Sequence, residues 1–278
     1  MMEYDRYMRY LGRQIFRGAL ALGIASLLIY SEWSNVKASP EERIRHPKNS
    51  WALKGQVFFN NTPKLLSQYD HSSLSCSSCH LRGGQKPFGA SLVGVYNRYP
   101  RYQARAGRVA TLPERINGCF VRSLNGKPLP LKGNEMKAFM AYLQWISKDV
   151  PAGKKAPGFG IKKIKGIFKA NRFRGKTLYA VRCARCHGLH GQGAFKSNGG
   201  VLVPPVWGKK SFNIGAGMAR LSVAAAFIKW NMPRWQGRTL SSQQSYDIAD
   251  YLIRQPRPDF AGKNKDWPKG GKPADARY

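Results

Sequence analysis

Acidic side chains are scarce in this 278-residue chain: 14 Asp and Glu stand against 47 Lys and Arg, a formal net charge of +33. The resulting positive field attracts anions, acidic proteins or anionic membrane surfaces. The basic residues are spread along the chain with no nucleic-acid-binding motif among them, which argues against a dedicated nucleic-acid reader. Simple solubility, or adaptation to an acidic exterior, accounts for the charge as well. Cysteine and histidine are also rare, five of each. That excludes zinc sites, which would need further Cys or His ligands in each half. Long hydrophobic runs are missing too: the longest near the start, Gly18 to Tyr30, is short for a membrane span.

Four of the five cysteines fall into two Cys-x-x-Cys-His sites 107 positions apart, Cys76-Ser77-Ser78-Cys79-His80 and Cys183-Ala184-Arg185-Cys186-His187. On a helical turn the cysteines at i and i+3 share a face and the histidine follows beside the second. One porphyrin edge can then be joined through two thioethers while the imidazole reaches the iron, so the spacing implies two covalently bound c-type haems. With 42% hydrophobic and 12% aromatic residues, the chain has material for two compact domains, one per motif.

Arg6, Arg9, Arg13 and Arg17 precede the Gly18 to Tyr30 run, the pattern of a signal peptide, with Val36-Lys37-Ala38 as a cleavage site; an uncleaved anchor in the inner membrane is the alternative. Both place the rest of the chain outside the cytoplasm, in the periplasm. Trp51 to Asn60 and Gly175 to Arg182 read as helices leading into the haem motifs. Glu135 to Ser147 and Tyr246 to Gln255 read as amphipathic closing helices, and Val223 to Trp230 has helical composition. His80 to Tyr142 is 62 residues and His187 to Tyr251 is 64, consistent with an internal duplication. Val150 to Gly166 is rich in Gly, Pro and Lys, as a linker would be. The expected fold is all-α: two tandem class I cytochrome c-like domains, 39–149 and 173–278, joined by a linker, 150–172, and preceded by an export or anchor segment, 1–38.

The ligand opposite each histidine decides whether a haem only carries electrons or also performs chemistry. In the second half the candidates are Met218, Lys229, Met232 and His190. Met232, 45 residues after His187 in Asn231-Met232-Pro233, is favoured as a late, loop-borne methionine. In the first half Cys119 lies 39 residues after His80 and is the only cysteine outside the motifs. Its position suits an iron ligand; a reactive thiol, an intermolecular disulfide and a buried bystander are the other readings. Met136 and Met140 could replace it but fall on the apolar face of a helix. A thiolate lowers the haem potential, which suits sulfur chemistry better than relay.

Arg105-Ala106-Gly107, Leu112-Pro113-Glu114-Arg115-Ile116-Asn117, Cys119-Phe120-Val121-Arg122-Ser123-Leu124-Asn125-Gly126, Ser211-Phe212-Asn213-Ile214-Gly215-Ala216-Gly217-Met218, Asp266-Trp267-Pro268 and Ala276-Arg277-Tyr278 resemble the thiosulfate dehydrogenases, dihaem cytochromes c of the TsdA type. The resemblance implies oxidation of two thiosulfates to tetrathionate. It implies His80 and Cys119 on the active-site haem, and His187 with Met232 on the haem that passes electrons on. It also implies Arg105 and Arg115 near the substrate, with Ser123 and Lys127 as weaker candidates. Some members resemble a pattern in which lysine directly precedes the methionine and exchanges with it; here Asn231 holds that place and Lys229 is three residues before Met232, so constant His/Met ligation is expected. The basic surface favours an acidic acceptor, a soluble cytochrome or a membrane oxidase component. The rival readings are a dihaem cytochrome that only transfers electrons and the same site working as a tetrathionate reductase. A dihaem peroxidase lacks the extra histidine it would need.

Overall fold

Asn49 starts the first helix, α1 (Ser50–Asn60), by accepting hydrogen bonds at its side-chain oxygen from the backbone N–H groups of Trp51 (2.9 Å) and Ala52 (3.1 Å). A single turn, α2 (Thr62–Leu65), follows, and its Thr62 hydroxyl accepts from the Cys76 N–H at 3.3 Å, placing the first haem motif. The motif itself is the turn α3 (Cys76–Cys79), capped reciprocally by Ser75 and Ser78. A short antiparallel hairpin, β1 (Arg101–Gln103) with β2 (Arg108–Ala110), leads into α4 (Leu112–Arg122), and α5 (Asn134–Trp145) closes the first half. These coordinates are a computed structural model that describes residues 46–278. The expected export or anchor segment, residues 1–38, lies outside the described residues. Among those described, no helix is long and apolar enough to cross a membrane.

The second half repeats the plan. Asn171 caps α6 (Arg172–Arg182), the turn α7 (Ala184–His187) carries the second motif, β3 (Ala194–Phe195) pairs with β4 (Val201–Val203), and α8 (Leu221–Asn231) and α9 (Ser242–Arg254) complete it. The described part is helix-rich, and the two small hairpins are what an all-helical expectation leaves out. The turn joining β1 to β2 ends at Gly107, whose φ of 65° costs a glycine little.

In each half the leading helix crosses the closing helix at a glycine. A Cβ on Gly55 of α1 would lie 2.0 Å from the Ala138 carbonyl oxygen and 2.7 Å from the Tyr142 Cβ of α5. A Cβ on Gly175 of α6 would lie 1.9 Å from the Asp247 carbonyl oxygen and 3.0 Å from the Tyr251 Cβ of α9. One helical turn beyond each glycine stands an aromatic ring, Phe59 or Tyr179, against the tyrosine of the closing helix, with ring centroids 5.6 Å apart in both halves. Tyr142 donates its hydroxyl to the Gly83 carbonyl and Tyr179 to that of Gly188, each at 2.6 Å, tying the crossings to the chain just after the haem motifs. Around the crossings lie two cores, one of Phe59, Phe120, Met136, Phe139, Tyr142 and their neighbours, the other of Ala225, Ile228, Leu240, Ile248 and Ile253.

Residues 46–278 fall within one compact unit. Lys210 to Gly215 enters the first half: Asn213 donates from Nδ2 to the Val121 carbonyl (2.9 Å) and to Asn125 (3.1 Å), and Phe212 packs on the first core. The chain after α9 returns to the β1–β2 turn, where the Trp267 N–H donates to the Arg105 carbonyl at 2.9 Å. There Asp266, its side chain 4% exposed, accepts from Arg122 (2.6 Å), Arg105 (3.1 Å) and the Tyr278 hydroxyl (2.5 Å). The stretch expected as a linker is pinned to the first half, with Phe88 N–H donating to the Gly158 carbonyl (2.7 Å) and Ser91 and Gly160 exchanging two backbone hydrogen bonds.

Gly55→Ala or Gly175→Ala forces the new methyl group onto a backbone carbonyl of the facing helix and is expected to destabilise the haem-loaded protein by about 1–3 kcal/mol in denaturant unfolding. Asp266→Ala leaves two half-buried guanidinium groups without their shared carboxylate, and a loss of about 3 kcal/mol is expected in the same measurement.

Candidate functional site

Helix α4 is built by a capping box and a proline. The Thr111 side chain accepts from the Glu114 N–H, the Glu114 carboxylate accepts from the Thr111 N–H (2.7 Å) and hydroxyl (2.8 Å), and Pro113 lies in the first turn. From this fixed start Arg115 and Cys119 fall at i and i+4 on one face. Arg115 donates from Nη1 to the Cys119 sulfur at 2.9 Å, and the His80 imidazole hydrogen-bonds the same sulfur. The Tyr99 hydroxyl, which the sequence reading did not single out, hydrogen-bonds Arg115, and Arg101 and Arg98 add positive charge beside it.

Burial alone would push the Cys119 thiol up. The Arg115 guanidinium and the His80 ring outweigh it and bring the pKa down to about 6. Arg115 is held more firmly protonated, chiefly by the facing sulfur. The Cys76 and Cys79 thiols go the other way, pushed up to about 12 by burial, with Cys119 near enough to each to contribute. These three thiols thus divide by environment: Cys119 faces a guanidinium at hydrogen-bond distance, and Cys76 and Cys79 are governed by burial.

Both motif histidines are oriented in one way. The Nδ1 of His80 meets the Ala90 carbonyl at 2.6 Å and that of His187 meets the Pro204 carbonyl at 3.0 Å. With Nδ1 occupied by a carbonyl, Nε2 is the nitrogen that would serve a metal, and in His80 it is the nitrogen turned toward the Cys119 sulfur. Two thiols one turn apart beside such an imidazole fit a c-type haem in each half.

Arg105 is drawn to Asp266 and to the Gly215 carbonyl (2.6 Å), and lies over the Trp267 ring at 4.5 Å; it still feels the charge of Arg115. Ser123 ends α4 one turn past Cys119, its N–H donating to the Cys119 carbonyl at 2.7 Å. Lys127 is exposed, with its backbone N–H on the Tyr69 carbonyl. Arg122 pairs with Asp266. In the second half Met232 caps the end of α8 and packs, with Cys183, against the second core. Lys229 donates to the carbonyls of Leu240 and Arg238 (3.3 Å), His190 is exposed, and Met218 sits half-buried in a single 3₁₀ turn. Met136 is buried in the first core and Met140 packs against it.

Comparison with known proteins matches two stretches of the chain to family descriptions: residues 66–152 to "SoxA/TsdA, cytochrome c domain", and residues 170–252 to "Cytochrome C oxidase, cbb3-type, subunit III". Two such domains carry two covalently bound c-type haems. The thiosulfate dehydrogenase of Psychrobacter arcticus is 44% identical over 224 residues, 81% of this chain and 68% of that protein. That of Allochromatium vinosum is 39% identical over 212 residues, 75% of this chain and 78% of that protein. The solved structure of the thiosulfate dehydrogenase TsdBA from Marichromatium purpuratum superimposes with a TM-score of 0.72 at 32% identity, covering 78% of this chain and 48% of that one. With a paired thiol facing one haem motif, a second haem motif in the other half, and likeness of this extent along most of its length, the chain belongs to the thiosulfate dehydrogenase family of dihaem cytochromes c.

Proposed function

We propose that this protein oxidises two thiosulfate ions to tetrathionate and passes the two electrons to an external acceptor. The observation that carries the reading is the 2.9 Å contact of the Arg115 guanidinium with the Cys119 sulfur beside His80. His80 and Cys119 serve the first haem, and His187 and Met232 the second; when bound, the haems supply the sink for the electrons. Cys76, Cys79, Cys183 and Cys186 hold them.

Thiosulfate is a dianion with a nucleophilic outer sulfur, so bringing two together requires fixed positive charge. Arg115 and, behind it, Arg105, Arg101 and Arg98 supply that charge, and planar guanidinium groups suit sulfonate oxygens. The Cys119 thiolate forms a sulfur–sulfur bond to the outer sulfur of the first thiosulfate, with two electrons leaving. The outer sulfur of the second thiosulfate then attacks the outer sulfur of the first, the bond to Cys119 breaks, and tetrathionate departs with the thiolate restored. Charge balances in each step without a proton. The same atoms run backwards reduce tetrathionate, so the acceptor's potential sets the direction. Ser123 and Lys127 stand at the end of α4 and just beyond it, where they can contact the sulfonate ends. The Arg-rich start of the chain and its short apolar run support export to the periplasm.

Cys119→Gly is expected to keep both haems attached, read by intact mass, and to lower thiosulfate-dependent ferricyanide reduction by about 10³-fold or more; turnover near the parent level would refute the thiol's role. The parent activity is expected to fall toward acid pH, as the Cys119 thiolate, whose pKa Arg115 holds below the ordinary thiol value, takes up a proton, read in a pH profile of kcat/KM. Arg115→Met removes the charge that holds that pKa down, so the acid limb moves to higher pH and kcat/KM falls by about 10- to 100-fold at neutral pH.

A further inference from the structure

Between Asp149 and Asp247 the chain contains no acidic residue at all, while Lys and Arg occur 18 times. This stretch includes the whole second haem motif and Met232. Just after Met232 a tight loop stands on the end of α8. The Arg238 N–H donates to the Lys229 carbonyl at 2.9 Å, Lys229 returns a hydrogen bond to the Arg238 carbonyl at 3.3 Å, and the Gln236 N–H donates to the Pro233 carbonyl at 2.9 Å. A Cβ on Gly237 would lie 2.5 Å from the Trp230 carbonyl oxygen, so the loop is pressed onto the helix.

This loop points its large side chains at solvent. Trp235 is 70% exposed, and it is the one tryptophan in the exposed class among the described residues. Its φ is +72° and that of Arg238 is +77°, left-handed conformations that cost a bulky residue about 1–3 kcal/mol each. Packing gives no reason for that strain, since the indole buries little. Arg234 lies 4.9 Å from the Trp235 ring centre, and Arg234 and Arg238 are both exposed. A held aromatic ring flanked by cations is the composition of a binding hot spot for an acidic surface.

We propose that Arg234, Trp235 and Arg238 form the face on which an acidic electron-acceptor protein docks to draw electrons from the second haem. This rests on the reading of Met232 as a ligand of that haem, and names the partner by its charge and the residues it meets. Indole burial supplies contact area, and the Lys and Arg residues of this acid-free stretch of chain steer the approach.

The test uses the haem-loaded protein, reduced with dithionite and desalted so that thiosulfate chemistry plays no part. It is mixed by stopped flow with mitochondrial-type cytochrome c whose lysines have been succinylated, with the unmodified basic protein, or with tris(phenanthroline)cobalt(III), a small cation with no docking face. The succinylated protein is expected to react faster than the basic one, and about tenfold more slowly at an ionic strength of about 0.15 M than at about 0.01 M. Trp235→Ser and Arg234→Glu are each expected to lower its low-salt rate constant by about tenfold, leaving the cobalt rate undiminished and the potential of the second haem unchanged. Unchanged rates in both variants, or faster reaction with the basic cytochrome, would overturn the proposal. So would loss of binding to phosphatidylglycerol vesicles with the protein-to-protein rate intact, which would mark a membrane-facing loop instead. If thiosulfate turnover is absent but the variants still slow the acidic cytochrome, the docking face stands and only the substrate assignment falls.

Discussion

Two α-helices can approach to backbone contact only where one of them carries no side chain, and this protein meets that constraint twice. Gly55 lets α1 rest on the Ala138 carbonyl of α5, and Gly175 lets α6 rest on the Asp247 carbonyl of α9. Everything that bears on chemistry hangs from these crossings, because each leading helix delivers its haem motif from its C-terminal side. The tyrosine hydroxyls on Gly83 and Gly188 then fix the chain just past each motif histidine. The carbonyls of Ala90 and Pro204 set each imidazole's orientation. The buried Asp247 carboxylate reinforces the second crossing by accepting from Arg174, Asn171 and Gln243.

The halves share this frame but differ in the sulfur that each offers as the proposed partner of its histidine. In the first, a capped helix brings a thiol with its own guanidinium partner. In the second, a loop brings a thioether against an apolar core. Burial acts on both thiol and thioether, yet only the thiol responds to charge, and Arg115 one turn away supplies it. On the proposed ligand assignment a single framework yields a reactive centre and a relay centre, the chemistry residing in side chains grafted onto it.

Much of this was legible in the sequence because it obeys local rules. The Cys-x-x-Cys-His pairs, the leading and closing helices and the equal motif-to-tyrosine spacing are short-range patterns, and the observed helix ends lie within a few residues of those read from periodicity. Periodicity alone does not announce the helix bearing Cys119, although Thr111 and Glu114 spell a capping box and Pro113 suits its first turn; Asn117 and Gly118 dilute its helical character. Arg105 illustrates a different limit. Its pairing with Asp266, 161 positions away, depends on the chain returning after α9, and nothing local announces that. Tyr99 likewise reaches Arg115 only through the fold.

Asn231, buried at 1% and immediately ahead of Met232, donates from Nδ2 to the carbonyl of Phe88, two residues before the Ala90 carbonyl that holds His80. With the iron ligands assigned as proposed, one amide therefore clamps the distal strand of the relay haem to the proximal loop of the reactive haem. A displacement of either segment is thus passed to the other through a contact that belongs to neither haem motif.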